Sequence, residues 1–230
     1  MVAIERGSKM SLKAVIFDLD GTLIKSKIPF RKMKMRIVKY LREAGVTPNA
    51  ISEDMMNFEI MRKAVEDLKS KGFSEKYIER IIGEVTRLMN EVELESADNA
   101  TLISGVPETI KALKSSGLKI GLMTRSCREY AEKILKRFDL LRYFDAILAR
   151  DDVAYPKPDP SHAIELLKLL NASVEEAIFV GDHWSDAECA RRAGLRFVWF
   201  RHDDSRDEDP KILKISNISC LLYTSPSPRD

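Results

Sequence analysis

The sequence predicts an α/β fold: a doubly wound parallel sheet with a helical domain inserted into it. Three observations predict it. Short apolar runs rich in β-branched residues end in polar clusters, helical periodicity separates the later runs, and a long stretch after the first run carries helical periodicity alone. The runs are 14–17, 118–123, 146–148, 177–180 and 197–200, with helical patterns at 109–115, 129–138 and 162–170. Their hydrophobicity is continuous rather than alternating, so both sheet faces are covered. Residues 1–25 and 101–219 form this Rossmann-like core, and 212–218 reads as its last edge segment, with Ser219 placed to cap a helix.

The segment 26–100 is far longer than a loop. Phe30, Met33, Ile37 and Tyr40 share a helical face; so do Ile51, Met55, Phe58, Met61, Val65 and Leu68, and again Tyr77, Ile81, Val85, Leu88 and Val92. Breaks fall at Gly45 to Pro48 and at Gly72. A helical domain follows, with its methionines as adaptable core filler.

Composition excludes several classes. The 38 basic and 36 acidic residues leave a formal charge of +2, which gives no global reason to bind nucleic acid or a membrane. No apolar run is long enough to span a bilayer, and the opening residues lack the apolar stretch of a secretory signal, so the cytoplasm is the expected compartment. Met10 is a second possible start. Cys127, Cys189 and Cys220 stand far apart and form no CxxC pair, against a disulfide framework or zinc site. Glutamine is absent while Lys, Arg and Glu abound, the bias of a thermophile. Residues 220–230, Cys-Leu-Leu-Tyr-Thr-Ser-Pro-Ser-Pro-Arg-Asp, match the translation of a transposase-end sequencing adapter. They are set outside the fold, and such a scar should pack little.

Ligands of doubly wound sheets sit at the carboxyl ends of the strands. There the chain places Asp18-Leu19-Asp20-Gly21-Thr22, then Thr124-Arg125-Ser126, then Gly181-Asp182-His183-Trp184-Ser185-Asp186, with Lys157 between prolines ahead of the last. Gathered carboxylates repel without a cation, and oxygen ligands at an open site favour Mg²⁺. An aspartate attacking a phosphate dianion needs that cation and a lysine to neutralise the repulsion. Asp18 is the candidate nucleophile. Asp20, turned back by the freedom of Gly21, is the candidate acid and base.

These segments resemble, in order, the four motifs of the haloacid dehalogenase-like (HAD) hydrolase superfamily: Asp18-Leu19-Asp20-Gly21-Thr22, Thr124, Lys157, and Gly181-Asp182 through Asp186. The resemblance implies Asp18 as nucleophile and metal ligand, and Asp20 as general acid/base whose backbone carbonyl also binds metal. It implies Thr124 and Lys157 as phosphate binders and Asp182 as a further Mg²⁺ ligand. Asp186 either ligates through water or orients Lys157, with Gly21 and Thr22 supporting. Arg125 either touches phosphate or substrate or lies at the surface, and His183 reads as a loop residue or as a support behind the ligands rather than as a ligand. Asp20 supplies an acid for an oxygen leaving group, which favours a phosphatase over a dehalogenase. The insert 26–100 resembles the helical cap of phosphoglycolate phosphatase-like members.

One departure stands out. Where many members continue Leu-Val-Asp-Ser, this chain has Leu23-Ile24-Lys25-Ser26, followed by Lys27, Arg31, Lys32, Lys34 and Arg36. The basic run either receives an anionic substrate tail or is a solvated helix face. The expected activity is hydrolysis of a small phosphorylated metabolite by a monomer or homodimer, phosphoglycolate being the best single candidate. A sugar-phosphate mutase and a non-catalytic phosphate-sensing module are the alternatives.

Overall fold

The computed structural model describes residues 12–200 and 213–223. The second start at Met10, Ile212 at the predicted edge segment and the end of the tail lie outside the described residues. The elements in chain order are β1 (Ala14–Phe17), β2 (Ile24–Lys25), α1 (Phe30–Glu43), α2 (Asn57–Ser70), α3 (Glu75–Ser96), β3 (Thr101–Leu102), α4 (Val106–Ser115), β4 (Lys119–Met123), α5 (Arg128–Arg137), β5 (Ala146–Leu148), α6 (Pro160–Leu170), β6 (Ala177–Gly181), α7 (Trp184–Ala193), β7 (Arg196–Phe200) and β8 (Leu213–Ile215). The chain divides into two compact units, Met1–Ser26 with Ala100–Asp230, and Lys27–Asn99.

The first unit is a six-stranded sheet in the order β5-β4-β1-β6-β7-β8, every pairing parallel. All five apolar runs are strands within it. β1 is buried throughout, flanked by β4 and β6, with Phe17 opposite both Leu122 and Val180. The chain winds from β1 to β4 and β5 on one side and resumes at β6 on the other. The crevice at the carboxyl ends of β1, β4 and β6 is therefore the topological switch point. On one face, Leu166, Leu167 and Leu170 of α6 pack with Ile16, Phe179 and Ala190.

Three elements differ from expectation. Helix α7 begins inside the segment read as a loop, because His183 caps it: its side chain accepts from the Ser185 amide. Its buried residues are Ser185, Asp186, Cys189 and Ala190, too few large apolar groups to print a stripe in the sequence. The strands β2 and β3 pair antiparallel where the chain leaves and re-enters this unit; two-residue strands leave no periodicity to read.

The second unit is helical. In α1 the buried residues are Met33, Ile37, Val38 and Leu41, with Phe30 46% exposed. The face of α2 is Ile60, Ala64 and Leu68, rotated from the predicted stripe: Ile51 and Met55 precede the helix, and Phe58, Met61 and Val65 are half-buried. In α3, capped by Ser74 accepting from the Tyr77 amide, Ile78, Ile81, Val85, Met89 and Val92 are buried. Tyr77 and Leu88 sit at the margin. Lys27, Arg31, Lys32 and Arg36 of the basic run are exposed. Arg31 and Lys34 line a cleft of about 530 Å³ in this unit together with Glu53 and Asp54, so acids offset the positive charge there.

At the chain's end, β8 pairs parallel with β7 as the sheet edge, and a 3-10 turn spans Ile218–Tyr223. The expectation that residues from Cys220 onward pack little fails at Leu221, which is 1% exposed. The 3-10 turn packs against α4, and a leucine placed there gains by burial whatever its origin.

Candidate active site

The centre of the first unit is built around a lysine. Lys157, 1% exposed, places Nζ 2.6 Å from Asp18 Oδ1 and 2.7 Å from Asp186 Oδ1. The Phe179 ring lies beneath it, 5.2 Å from the ammonium to the centroid. Asp18 follows the last residue of β1 and is fixed by its own amide donating to Val180 O at 3.0 Å. Asp186 accepts from the His183 amide at 3.1 Å through Oδ2, so both of its oxygens are engaged and it holds Lys157 in place. Gly181 makes room for this: a Cβ there would meet Asp186 Oδ2 at 2.6 Å.

Asp182 projects toward the same place. Its Oδ1 accepts from the Thr22 hydroxyl at 3.3 Å. Gly21 takes φ +92, and a Cβ on it would lie 2.0 Å from Asp182 Oδ2. The glycine is thus required both for the left-handed turn and for the carboxylate's approach. One oxygen each from Asp18, Asp182 and Asp186 lie within 4.8 Å of one another. With Asp186 taken up by Lys157 and the His183 amide, the oxygens of Asp18 and Asp182 are the part of that set that fits a hard cation such as Mg²⁺. Burial, with Asp186 and Asp182 close by, pushes the Asp18 carboxyl up against the pull of Lys157. Burial and then Asp186 raise Asp182 to about 6. Burial works to lower Lys157, but Asp18 and Asp186 outweigh it and hold the ammonium charged. Two raised carboxyls beside a single ammonium form a site short of positive charge, which a bound cation or a cationic partner relieves.

Asp20 stands apart from these three. Its Oδ2 accepts from Ser126 Oγ at 2.8 Å and its Oδ1 from the Tyr130 hydroxyl at 3.0 Å. Hydroxyls both donate and accept, so this pair can hold the carboxyl in either protonation state. Thr124, 1% exposed, follows β4 directly, its Oγ1 accepting from the Ser126 amide. Arg125 is half-buried and donates to Ser185 Oγ at 3.1 Å. His183 is held low by burial and then by Arg125. Cys127 and Cys189 are buried thiols outside any disulfide, and burial pushes the Cys189 thiol up to about 11, as expected of packing thiols.

The sequence alone assigns no role to four participants: Ser126 and Ser185, which lie inside the strand-end segments, and Tyr130 and His162, which do not. The Lys157 amide donates to His162 Nδ1 at 3.1 Å, so the ring proton is on Nε2, which lies 3.1 Å from Leu148 O as donor. Only a neutral imidazole satisfies both, and burial, then Lys157, lowers His162 to about 4. The unfolded chain protonates near 6.5, so stability from His162 is complete above that pH and lost as pH falls toward 4. That window corresponds to about 3 kcal/mol. In denaturant titrations at pH 7.5 and 4.5, His162→Asn is expected to lose markedly less stability on acidification than the parent. Equal losses would show that His162 does not govern the slope.

A doubly wound sheet with a lysine-clamped aspartate and converging carboxylates at its switch point defines a class, the hydrolases that act on phosphoryl groups at an aspartate-lined centre. The chain belongs to the haloacid dehalogenase-like hydrolases, whose family pattern matches residues 15–200, and it is a HAD-like phosphatase. It is 30% identical over 188 residues to a phosphoglycolate phosphatase of Aquifex aeolicus, covering 80% of this chain and 83% of that one. It is also 30% identical over 204 residues to a putative pyrophosphatase PpaX of Caldanaerobacter subterraneus, covering 82% and 81%. A solved structure described as a predicted phosphoglycolate phosphatase from Haemophilus somnus shares the fold, with a TM-score of 0.61 at 20% identity over 94% of this chain and 99% of that one. Among the described residues no helix is long and apolar enough to cross a membrane.

Proposed function

We propose that the protein is a Mg²⁺-dependent phosphomonoester hydrolase acting on a small phosphorylated metabolite through an aspartyl-phosphate on Asp18. The observation that carries this reading is Lys157 bridging Asp18 and Asp186, with Asp182 beside them. Asp18 attacks phosphorus, forming a carboxyl–phosphoryl bond as the ester P–O bond breaks. Asp20, held by Ser126 and Tyr130, gives its proton to the leaving oxygen and then takes one from the water that opens the acyl phosphate. Lys157 and Thr124 bind the transferring phosphoryl, and Asp186 orients Lys157. Mg²⁺, held by Asp18, Asp182 and the Asp20 carbonyl, would supply the remaining charge neutralisation. The helical unit serves in substrate selection.

Phosphoglycolate is the substrate we name first, in keeping with the Aquifex aeolicus relative. The relatives named as pyrophosphatases support inorganic pyrophosphate as a second. Phosphate release from a panel containing both, with Mg²⁺, should be abolished by chelator and restored by added Mg²⁺. Undiminished turnover after exhaustive metal removal would overturn the metal assignment.

A further inference from the structure

Arg125 carries a charge that the catalytic reading does not use. It follows Thr124 at the carboxyl end of β4, on the same sheet edge as Asp18 and Asp182. It is half-buried, yet among the described residues it forms no ion pair. Its guanidinium has five N–H donors, and the bond we find is from Nη1 to Ser185 Oγ at 3.1 Å. Its backbone carbonyl is pinned by Arg150 Nη1 at 2.8 Å. Ser185 is itself 1% exposed, at the start of α7, so the anchor does not move freely.

The anchor extends to His183. Ser185 Oγ lies 2.8 Å from His183 Nδ1, and the Ser185 amide donates to the same nitrogen at 3.2 Å. An amide can only donate, so Nδ1 is bare and the ring N–H is on Nε2, away from Ser185. Arg125 and His183 therefore both present donors, and their shared partner fixes one against the other. Fixed, partly desolvated donors recognise anions better than solvated surface lysines, because less freedom is lost on binding. The basic run on α1 is mostly exposed and shares its cleft with Glu53 and Asp54, whereas no carboxylate among the described residues offsets the charge of Arg125.

We propose that Arg125, held by Ser185 and flanked by His183 Nε2–H, binds a second anionic group of the substrate. The protein then selects phosphate compounds that carry a carboxylate or a further phosphate close to the transferring phosphoryl. This rests on the phosphatase reading above and assigns its substrate class to the sheet domain.

The test compares 2-phosphoglycolate, inorganic pyrophosphate and ethyl phosphate on the full chain with Mg²⁺, for the parent, Arg125→Ala, Arg125→Lys and Ser185→Ala. Ethyl phosphate lacks the second anion at similar size. In Arg125→Ala the ratio of kcat/KM on the preferred anionic substrate to that on ethyl phosphate should fall at least about 30-fold, mainly through KM. Arg125→Lys should recover part of it, and Ser185→Ala should lose less. Whichever anionic substrate shows the larger fall identifies the second group as carboxylate or phosphate. An equal loss on all three substrates would overturn the proposal, since Arg125 would then serve the transferring phosphoryl or the fold. No preference in the parent would overturn it too. If the parent hydrolyses none of them, the substrates proposed above fall. Calorimetric binding of 2-phosphoglycolate and pyrophosphate then decides: binding at least about tenfold weaker in Arg125→Ala upholds the anion site, and unchanged binding overturns it.

Discussion

Asp18→Asn is expected to lower turnover by at least about 10³-fold while leaving the fold intact. Asparagine keeps the shape of the side chain and removes the charge that attacks phosphorus. Its effect on stability should run against its effect on activity. Burial raises the folded-state pKa of Asp18 above its ordinary value of 3.8. The stability this carboxyl contributes is present below that value and is lost as pH rises through the folded pKa. Asparagine has no such loss, and one carboxylate, Asp186, remains to pair with Lys157. In chelator at neutral pH, thermal melting of Asp18→Asn should therefore occur no lower than in the parent. A lower melting temperature would mean that the Asp18–Lys157 pair is a net stabiliser.

Lys157→Met should damage both properties. The ammonium is fully enclosed and is the cation shared by Asp18 and Asp186. Methionine fills the volume but leaves two buried carboxylates facing each other, and removing one partner of a buried pair costs about 3 kcal/mol or more. Losing the charge that screens the phosphoryl should lower kcat by about 10²- to 10³-fold. Denaturant titration against pH separates the parts: the deficit should shrink as pH falls and the stranded carboxyls take up protons. A deficit independent of pH would point to packing rather than charge.

The strands of the core were legible because they are buried on both faces, and a run such as 14–17 admits no other use. The sheet edge followed from their order, and the structure brings together Asp18, Lys157, Asp182 and Asp186 from separate segments. What the sequence hid was of two kinds. The face of α2 is rotated from the predicted stripe, because half-buried Phe58 and Met61 count as apolar in a periodicity although Ala64 is what fits the interior. In α3 the predicted Ile81, Val85 and Val92 are buried and only Tyr77 and Leu88 lie at the margin. The supporting residues Tyr130 and Ser185 act through hydrogen bonds to groups distant in sequence, and His162 through the Lys157 amide and Leu148 O. A lone histidine inside a helical pattern carries no mark of such a partner. His183 was legible only as a neighbour of Asp182, whereas its side chain begins α7.

The proposed mechanism turns on a covalent phosphoryl group on one aspartate. Single-turnover reaction with isotopically labelled substrate, rapid acid quench and peptide mapping by mass spectrometry tests it most directly. The label should appear on the peptide containing Asp18, be absent in Asp18→Asn, and accumulate in Asp20→Asn when the leaving group is good enough to depart without a proton. Label released only as free phosphate in the parent and in Asp20→Asn alike, or found on another residue, would contradict it.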